Sequence, residues 1–337
     1  MKILLTGAAG FIGSEVFSRL ASRGDDVVGI DNINDYYDIP LKYARLERLG
    51  FQKPFIAGHP VSSDRFPAAR FIRMDLCDRE ALHKLFTAEH FDKVVNLAAQ
   101  AGVRYSITNP YAYLQSNLDG FMNILEGCRN TGVKHLVFAS SSSVYGTNAK
   151  VPFSEEDPCD TPVSLYAATK KSNELMAHAY AKLYGFAATG LRYFTVYGPW
   201  GRPDMAPMKF ARAILNGETI DVYNHGDMLR DFTYIDDIAA GTMKVIDSLP
   251  IERNGAAFRV YNIGCSHPVH LMDFIHELEE AAGRKAVMNM LPMQPGDVYQ
   301  TYADTTRLEQ ELGYRPGISL HEGIQHFMRW YKEYYGE

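Results

Sequence analysis

Hydrophobic and polar positions along the first half of the chain predict strands that alternate with helices. KILLT at residues 2–6 is a short apolar run, followed by a glycine turn and an amphipathic segment. Four more apolar runs follow in the same half, each after a helical segment: DVVGID, ARFIRMDL, DKVVNLAA and HLVFASSSS. Regular alternation of this kind predicts an α/β fold with a doubly wound parallel sheet and right-handed crossovers over about residues 1–185.

The pattern changes near residue 200. IDVYNHGDMLRDFTYIDD predicts two short strands with Arg230 between them, and helical patterns dominate from His267 onward. We therefore predict two discontinuous domains, a sheet domain and a smaller, mainly helical C-terminal lobe that binds the substrate at the carboxyl edge of the sheet. Their predicted bounds are 1–199 plus about 232–265 for the sheet domain, and about 200–231 plus 266–337 for the lobe.

Two segments of the sheet domain are unusual. Residues 34–67 form a long insertion between two strands, for which we predict a helix (NDYYDIPLKYARLERLGF) followed by a loop (KPFIAGHPVSSDRFP). Connections of that length are uncommon in compact domains, and the sequence assigns this one no role. Residues 111–131 predict one long helix, which carries Asn117.

Composition limits the range of functions. The chain has 337 residues, of which 46% are apolar and 22% charged, and its formal net charge of −6 argues against a general nucleic-acid binder. Its four cysteines are far apart and form no C-x-x-C motif, so we expect reduced thiols in a cytoplasmic protein. Met1-Lys2 leads directly into ILLTGAAG, so no signal peptide is expected, and no apolar run is long enough to span a membrane.

The glycine turn after the first strand has the chemistry of a dinucleotide site. Gly7, Gly10 and Gly13 follow the spacing G-x-x-G-x-x-G between a predicted strand and a predicted helix. Glycines there allow a tight turn, let backbone N–H groups approach a pyrophosphate, and permit close packing of helix on strand. Asp31 ends the second strand, where a carboxylate binds an adenosine ribose diol and disfavours a 2′-phosphate; this favours NAD over NADP. The alternative for Asp31 is an ordinary residue of a turn.

Tyr166 and Lys170 are the candidate acid–base pair. They are four residues apart in YAATK, at the start of a helical run, and therefore share one helix face. A Lys ammonium beside a phenol favours the phenolate and lowers its pKa from about 10 toward working pH, which makes Tyr166 a general acid/base for a hydroxyl proton. Ser140–Ser143 end the preceding strand and offer hydroxyls to the same proton. The alternative is a surface Tyr and Lys on an ordinary helix.

Taken together and in order, the motifs resemble those of the extended short-chain dehydrogenase/reductase family over essentially the full chain. The matching segments are TGAAGFIG, Asp31, Asp75-Leu76, NLAA, the serine strand end, YAATK, RYFTVYGP, RDFTYIDD and PGD. Within the family the chain is most similar to the UDP-glucuronate 4-epimerase branch. That similarity rests on DNINDYYDIPLKYARL, AAQAGVRYSI, RYFTVYGPWGRPDMA and PMQPGDVYQTYAD.

The resemblance implies a Rossmann-type sheet that binds NAD and a lobe that binds a nucleotide sugar. It implies that Tyr166 takes the proton of the sugar 4-hydroxyl while the C4 hydride passes to NAD, that Lys170 keeps the tyrosine deprotonated, and that Ser141 is the family's catalytic hydroxyl. The 4-keto intermediate then turns over and the hydride returns to its other face. The candidate cofactor-binding residues are Gly7, Gly10, Phe11, Ile12, Gly13, Asp31, Asn32, Asp75, Leu76, Leu97, Ala98, Ala99, Asn117, Tyr166 and Lys170.

Differences from neighbouring branches of the family indicate the reaction. Related dehydratases carry Asp and Glu at the two positions after the catalytic hydroxyl, and related decarboxylases carry Glu at the second, whereas this chain has Ser142 and Ser143. Galactose 4-epimerases have Asn where this chain has Thr195. Neutral hydroxyls at these three positions would bind a sugar carboxylate that a glutamate would repel. They would also keep the carbon–carbon bond to the carboxylate misaligned with the ketone, so that carbon dioxide is not lost. This favours epimerisation of a uronate over decarboxylation.

The resemblance also supplies candidates for substrate binding. Arg230 is the candidate for the diphosphate, because a guanidinium meets phosphate oxygens in a fork; the alternative is a surface ion pair with Asp231. Gln294 stands where galactose epimerases have an arginine, which weakens the direct transfer of their phosphate contacts. The candidate substrate-binding residues are Ser141, Ser142, Ser143, Tyr166, Thr195, Arg202, Arg230, Asp297 and Arg104.

Three readings of the function remain open from the sequence. The first is NAD-dependent C4 epimerisation of UDP-glucuronate to UDP-galacturonate without decarboxylation, by an isomerase that supplies polysaccharide biosynthesis. The second is a 4-epimerase for neutral UDP-hexoses, and the third is a non-catalytic NAD-binding regulator, against which the intact acid–base residues argue. The resemblance implies a homodimer formed by helices near 111–131 and 166–184. We expect no metal, and we read His267 and His270 as flanking a helix start.

Overall fold

The computed structural model describes residues 1–294 and 297–336, and the chain divides into two compact units. The first unit comprises 1–146, 158–192 and 242–261, and the second comprises 147–157, 193–241 and 262–337. The predicted assignment of one domain to the cofactor and the other to the substrate stays a prediction. Among the described residues, no helix is both long enough and apolar enough to cross a membrane.

The strands, in chain order, are β1 (Lys2–Thr6), β2 (Asp26–Asp31), β3 (Pro60–Ser62), β4 (Ala69–Arg73), β5 (Lys93–Asn96), β6 (His135–Ser141), β7 (Ala187–Tyr193), β8 (Thr195–Tyr197), β9 (Thr219–Val222), β10 (Leu229–Arg230), β11 (Phe232–Tyr234), β12 (Phe258–Ile263), β13 (Val269–His270) and β14 (Val287–Met290).

The α-helices are α1 (Phe11–Ser22), α2 (Ile39–Arg48), α3 (Arg79–Glu89), α4 (Tyr105–Thr108), α5 (Pro110–Tyr113), α6 (Gly120–Thr131), α7 (Leu165–Tyr184), α8 (Ala206–Asn216), α9 (Ile235–Asp247), α10 (Leu271–Ala282), α11 (Thr306–Leu312) and α12 (Leu320–Tyr335). A π-helix spans Leu114–Asp119, and 3-10 turns span Ser142–Tyr145 and Tyr223–Gly226.

An eight-stranded sheet forms the centre of the first unit, in the order β12-β7-β6-β5-β1-β2-β4-β3. The pairs β1–β2, β1–β5, β2–β4 and β5–β6 are parallel, which confirms the predicted parallel α/β fold. From β1 the chain builds one side of the sheet first and returns to build the other from β5 onward. The topological switch point therefore lies between β1 and β5, where open sheets of this kind bind ligands.

Apolar side chains from strands and helices form the core of the first unit. Phe121 of α6 packs against Phe138 of β6 with ring centres 5.3 Å apart, and Phe86 of α3 packs against Phe91 at 5.6 Å. All four are 2% exposed or less. Burial of each such ring stabilises the fold by about 1.5–3 kcal/mol relative to exposure, and the contact between Phe121 and Phe138 holds α6 against the sheet.

The insertion differs from its prediction in one element. Its helix, α2, is as predicted, but residues 60–62 form β3, which pairs antiparallel with β4 where we expected loop. Phe51 and Phe55 pack on Phe71 with ring centres 5.8 and 5.2 Å apart. The prediction missed β3 because three residues are too few to show the alternation typical of a strand.

The long helix predicted near 111–131 is interrupted. Helices α5 and α6 flank the π-helix, and Asn117 lies within that π-helix. A π turn widens the helix by one residue and frequently marks functional sites. The prediction of one regular helix was therefore wrong in this stretch, because apolar spacing alone does not register the extra residue.

The second unit contains more β-structure than we predicted for a mainly helical lobe. Three two-stranded sheets pair β8 with β11, β9 with β14, and β10 with β13. Arg230 lies within β10, so the prediction that it lies between two strands was wrong. Phe232 stacks on Phe274 with ring centres 4.0 Å apart, and Tyr197 contacts both rings edge-on. These aromatic residues form a core at which β8, β11 and α10 meet.

Candidate functional site

The ends of β1 and β5 are joined by hydrogen bonds at the switch point. Thr6 Oγ1 donates to Asn96 Oδ1 at 2.7 Å, and the Ala98 N–H donates to Thr6 Oγ1 at 3.1 Å. Leu97, Ala98 and Ala99 follow directly, and a Cβ added to Gly7 would lie 2.8 Å from Ala98 N. The small residues predicted near a cofactor therefore lie beside the glycine turn.

The glycine turn has the geometry of a dinucleotide cradle. Gly7 has φ +73°, in the left-handed region, and a Cβ on Gly13 would lie 2.0 Å from Gly7 O. Gly10 is the N-cap of α1 and supplies no side-chain cap, so the first turn of α1, which begins with Phe11 and Ile12, presents its N–H groups at this end of the helix. Those N–H groups and the helix dipole fit a pyrophosphate. The residues present therefore fit a dinucleotide such as NAD.

Asp31 and Asn32 follow β2 at the same edge of the sheet. Asp31 Oδ2 accepts a hydrogen bond from Ala9 N at 3.2 Å and Oδ1 accepts one from Ile33 N at 2.8 Å. Burial raises the pKa of this carboxyl above its ordinary value, although nearby Lys42 and the two N–H groups favour its charged form. Asp31 thus lies against the glycine turn, where a ribose diol was predicted to bind.

Two cationic residues of the insertion were missed by the sequence analysis. Arg45 is 0% exposed and its Nη1 donates to Ala9 O at 3.0 Å and to the Tyr37 hydroxyl at 2.6 Å. Lys42 is 5% exposed and its Nζ donates to Asn34 O at 2.7 Å. Both lie on the buried face of α2, so the insertion supports the glycine turn from outside. The sequence could have indicated them, because Lys42 and Arg45 occupy positions of α2 at which the helical pattern expects apolar residues.

The end of β4 contributes the next candidates. Asn32 Nδ2 donates to Asp75 Oδ2 at 2.9 Å, and Asn123 Nδ2 of α6 donates to Leu76 O at 2.8 Å. Asp75 Oδ1 also accepts a hydrogen bond from Cys77 N at 2.8 Å. Asn32, Asp75 and Leu76 therefore lie close together, and their predicted contact with the cofactor stays a prediction.

Asn117 has protein partners for its side-chain amide. Its Oδ1 accepts from Gln100 N at 2.8 Å, and its Nδ2 donates to Gln100 O and to Thr169 Oγ1, both at 3.0 Å. It is 2% exposed. The observed contacts give it a positioning role, between the segment after β5 and α7, while the predicted cofactor contact stays a prediction. Arg104, by contrast, is exposed at the start of α4.

Tyr166 and Lys170 lie on the first two turns of α7. Ser164 caps this helix by accepting a hydrogen bond from Ala167 N at 3.1 Å, which fixes where it begins. Lys170 Nζ donates to Ala139 O of β6 at 2.8 Å, and burial lowers the pKa of Lys170 to about 8. The Tyr166 ring lies 6.0 Å from that of Tyr113, which is edge-on to it. The helix that carries the candidate acid–base pair is thus bonded directly to the strand that carries the serines.

The serines at the end of β6 form a compact turn. Ser141 Oγ donates to Ser143 Oγ at 3.1 Å and accepts a hydrogen bond from Ser143 N at 3.2 Å. Ser142 begins the 3-10 turn that ends at Tyr145. The structure therefore brings the three predicted hydroxyl residues together, next to the strand position that Lys170 contacts.

In the second unit, Arg230 and Asp297 are electrostatic neighbours. Arg230 Nη1 donates to Tyr299 O at 2.9 Å and Nη2 donates to Val298 O at 2.7 Å. Burial lowers the pKa of Arg230, and Asp297 opposes that shift. Asp231 accepts hydrogen bonds from backbone N–H groups, among them that of Cys265 at 2.6 Å. These partners differ from the alternative raised above, in which Asp231 forms a surface ion pair with Arg230.

The other candidates of the second unit lie on β8 and the loop after it. Thr195 begins β8, and its N–H donates to Asp231 O at 3.2 Å. Arg202 forms a two-point pair with Asp204 at 3.0 and 2.5 Å. His267 Nδ1 lies 2.9 Å from Cys265 O, and His270 occupies the N-cap position of α10 without a side-chain cap hydrogen bond, which agrees with their reading as residues near a helix start.

Comparisons with known proteins agree with this geometry. Residues 3–264 match the model of the NAD dependent epimerase/dehydratase family. The "Uncharacterized 37.6 kDa protein in cld 5'region" of Escherichia coli O111:H- is 53% identical over 99% of both chains. The "Probable UDP-glucuronate 4-epimerase" of Rhizobium meliloti is 46% identical over 99% of this chain and 98% of its own.

A solved structure is similar over the whole fold. The crystal structure of UDP-glucuronic acid 4-epimerase from Bacillus cereus, in complex with UDP-glucuronic acid and NAD, superposes with a TM-score of 0.87. It is 34% identical and the match covers 99% of this chain and 100% of that one. The similarity extends over both compact units.

Proposed function

The chain belongs to the NAD-dependent epimerase/dehydratase family, and from that membership we propose that it is an isomerase that converts UDP-glucuronate to UDP-galacturonate by inverting C4. The observation that carries the proposal is the turn of neutral serines after β6, together with the hydrogen bond from Lys170 of α7 to Ala139 O of that strand. The relatives named UDP-glucuronate 4-epimerase support the choice of substrate.

NAD is the cofactor that this family uses and that the glycine turn fits. Gly7, Gly10 and Gly13 would approach its pyrophosphate, and Asp31 would bind the adenosine ribose, with Arg45 of the insertion bonded to the turn at Ala9. When bound, NAD accepts the C4 hydride of the sugar and returns it, so that it is regenerated in each turnover. The protein's residues supply the binding, the orientation and the proton transfer.

Tyr166 is the residue that moves the proton. Its phenolate takes the proton of the 4-hydroxyl as C4 is oxidised and gives it back when C4 is reduced. Lys170, with a pKa of about 8, is largely an ammonium at neutral pH and therefore stabilises that phenolate. Ser141 shares the substrate proton through its hydroxyl and orients the sugar 4-oxygen. Proton transfer of this kind contributes about 10²- to 10⁴-fold to a rate.

The serine turn provides the specificity for a uronate. Oxidation at C4 of a uronic acid creates a β-keto acid, which loses carbon dioxide when its carboxylate bond aligns with the ketone. Ser142, Ser143 and Thr195 present neutral hydroxyls, which hydrogen-bond a carboxylate without adding a like charge. We assign to them the task of holding the carboxylate out of that alignment.

Cationic side chains of the second unit account for the nucleotide part of the substrate. The carbonyl groups of Leu229, Val298 and Tyr299 accept hydrogen bonds from the Arg230 guanidinium and hold it in place, which supports its assignment to the diphosphate. Arg202 and Asp297 are assigned to the sugar or the uridine ribose. Arg104, in the first unit, is assigned to a substrate or cofactor anion.

Purified protein incubated with UDP-glucuronate and no added NAD tests the proposal. We expect UDP-galacturonate in the proton NMR spectrum, no pentose, and NAD released on denaturation. Conversion of UDP-glucose in place of UDP-glucuronate would assign the protein to the neutral-sugar branch. Failure to convert either sugar, with NAD present, would favour a non-catalytic NAD-binding protein.

The carboxylate assignment has its own test. Ser143→Glu places a like charge beside the sugar carboxylate and Thr195→Ala removes one hydroxyl, so both variants should release more carbon dioxide and form more pentose than the wild type. Pentose at the wild-type level in both variants would contradict the assignment. The measurement is the pentose fraction of the product by NMR.

We also propose a cytoplasmic homodimer that supplies polysaccharide biosynthesis. Apolar side chains are exposed along the helical region near 111–131, at Tyr111 (73%) and Met122 (38%), and along α7, at Leu175 (61%) and Leu183 (69%). They support a twofold interface formed by these helices, and the four free cysteines support a reducing compartment. Light scattering of wild type and Leu175→Glu tests the dimer, because a buried charge should shift it to monomer.

A further inference from the structure

Glu174 and Arg192 form a buried ion pair behind the serine turn. Their side chains are each 3% exposed, and Glu174 lies on α7, four residues after Lys170. Arg192, near the end of β7, donates from Nε to Glu174 Oε1 and from Nη2 to Oε2, both at 2.8 Å. A two-point fork of this kind fixes the orientation of α7 relative to β7 as well as their distance.

The same pair reaches both ends of the serine segment. Ser140 Oγ donates to Glu174 Oε1 at 2.6 Å. Arg192 Nη1 donates to the Tyr145 hydroxyl at 2.9 Å, and the guanidinium lies 4.8 Å from the centre of the Tyr145 ring. Ser140 directly precedes Ser141, and Tyr145 ends the 3-10 turn. One ion pair therefore joins α7, β7, the end of β6 and the turn after it.

Ser140 and Ser141 have different tasks, because successive side chains of a strand point to opposite faces of the sheet. Ser140 is 2% exposed and bonds Glu174, whereas Ser141 bonds Ser143 within the turn. Ser140 therefore holds the strand end from behind while Ser141 is presented on the other side. The bond from Lys170 to Ala139 O adds a second link between α7 and the same strand end.

We propose that Glu174, Arg192, Ser140 and Tyr145 are positioning residues that hold the Ser141–Ser143 turn in register with the Tyr166 helix. The inference rests on the proposed function, since it concerns the same acid–base site. A displacement of about 1 Å in a reacting group can lower a rate about 100-fold. Because the turn is also assigned to the sugar carboxylate, its displacement should weaken control over decarboxylation as well.

Two variants test the positioning role with little change in packing. Tyr145→Phe keeps the ring and removes only the hydroxyl that accepts a hydrogen bond from Arg192. Ser140→Ala removes only the hydroxyl that donates a hydrogen bond to Glu174. We expect kcat to fall by about 3- to 30-fold in each, within the range for a displaced reacting group. KM should change less than kcat, since the residues assigned to the nucleotide part of the substrate are not altered. The pentose fraction of the product should rise.

Thr189→Val is the matched control. The Thr189 hydroxyl is also buried in the first unit and lies 2.9 Å from His135 Nε2, a contact between β7 and β6 that does not involve the ion pair. Its loss should lower the melting temperature to a similar extent and leave kcat and the pentose fraction at wild-type values. NAD content, measured for every variant, confirms that the cofactor site is intact.

The outcomes separate this inference from the proposed function. Wild-type kcat and pentose in both Tyr145→Phe and Ser140→Ala would overturn the positioning role, as would an equal loss of kcat in Thr189→Val. If the wild type converts UDP-glucose but not UDP-glucuronate, the proposed substrate is wrong. In that case the comparison of kcat on UDP-glucose still decides whether the four residues position the turn.

Discussion

Each compact unit contains a carboxylate that is almost completely buried, and the two carboxylates have different kinds of partner. In the first unit, Glu174 is paired with the guanidinium of Arg192 through two hydrogen bonds of 2.8 Å. In the second unit, Asp231 is 0% exposed and accepts three backbone N–H groups, at 2.6 to 3.0 Å, and the Thr233 hydroxyl at 3.3 Å. A full opposite charge compensates the first, and backbone dipoles compensate the second.

The difference indicates what each unit has to hold in place. The Glu174–Arg192 pair joins side chains of four elements around the predicted acid–base residues. Asp231 joins backbone segments around β10, where Arg230 is predicted to bind the diphosphate. We therefore expect charges of the first unit to act on the rate of the chemical step, and those of the second unit to act on substrate binding.

Tyr166→Phe should give the largest effect. Removing the phenol should lower kcat about 1,000-fold, the middle of the range for general acid–base catalysis, and leave NAD binding unchanged. Tyr180→Phe, on the same helix, is the control, because burial and neighbouring Glu126 raise the pKa of Tyr180 to about 12 and it is not suited to act as a base. Steady-state kinetics measure both, and similar losses in the two variants would contradict the assignment.

Arg192→Met should give the next largest effect, on stability. The change leaves Glu174 buried without its cation, so the free energy of unfolding should fall by about 3–5 kcal/mol. Lys84→Met removes one member of a pair whose side chains are 72% and 80% exposed, and should cause no measurable change. Urea unfolding measures both, and a loss below about 1 kcal/mol in Arg192→Met would show that the pair is dispensable for the fold.

Arg230→Gln should change binding rather than rate. Loss of one charged hydrogen-bond donor to the diphosphate should raise KM for the nucleotide sugar about 10- to 100-fold, with kcat within about threefold of the wild type. Arg230→Lys keeps the positive charge but loses the two-point donor geometry, so its KM should lie between those of the wild type and Arg230→Gln. A fall in kcat at unchanged KM would place Arg230 in the chemical step and break the comparison between the units.

The smallest effect should be the pH dependence of stability, and it should have opposite sign for the two carboxylates. Burial raises the pKa of Glu174, but the Arg192 fork and Ser140 outweigh it, so the folded pKa is lowered and the stabilisation is lost as pH falls through it. Burial raises the pKa of Asp231 despite its N–H partners, so its contribution is lost as pH rises through the folded value.

Unfolding of Glu174→Gln and Asp231→Asn from pH 3 to 8 measures this difference. The deficit of Glu174→Gln relative to the wild type should be constant above the unfolded carboxyl pKa of about 4.3 and should shrink as pH falls below it. The deficit of Asp231→Asn should be largest at low pH and should shrink as pH rises. Deficits that change with pH in the same direction would contradict the distinction between ion pairing and backbone solvation.

Periodicity predicted the elements that are long and regularly patterned. The longer strands of the large sheet follow from apolar runs, the turn at Gly7 follows from glycine spacing, and the start of α7 follows from the helical run that begins near Tyr166. Local sequence also predicted Ser141, Tyr166 and Lys170 as one site, and Lys170 contacts Ala139 of the strand that ends at Ser141. These features depend on residues close in sequence.

The features that the sequence did not predict depend on partners far along the chain. Arg45 is a buried cation on a helix face that should be apolar, and its contacts with Ala9 and Tyr37 explain its burial. β3 and β10 are too short to show a period. Glu174 and Arg192 lie on α7 and β7, and they meet only because these two elements pack together. The sequence around either residue alone therefore does not predict the ion pair.

The most direct test of the account uses UDP-glucuronate labelled with deuterium at C4. If the hydride leaves C4 and returns to the same carbon within the site, the product in ordinary water should be UDP-galacturonate that retains deuterium at C4 and keeps its carboxylate. Product with hydrogen at C4, or pentose in place of the uronate, would contradict the proposed transient oxidation with retention of the carboxylate.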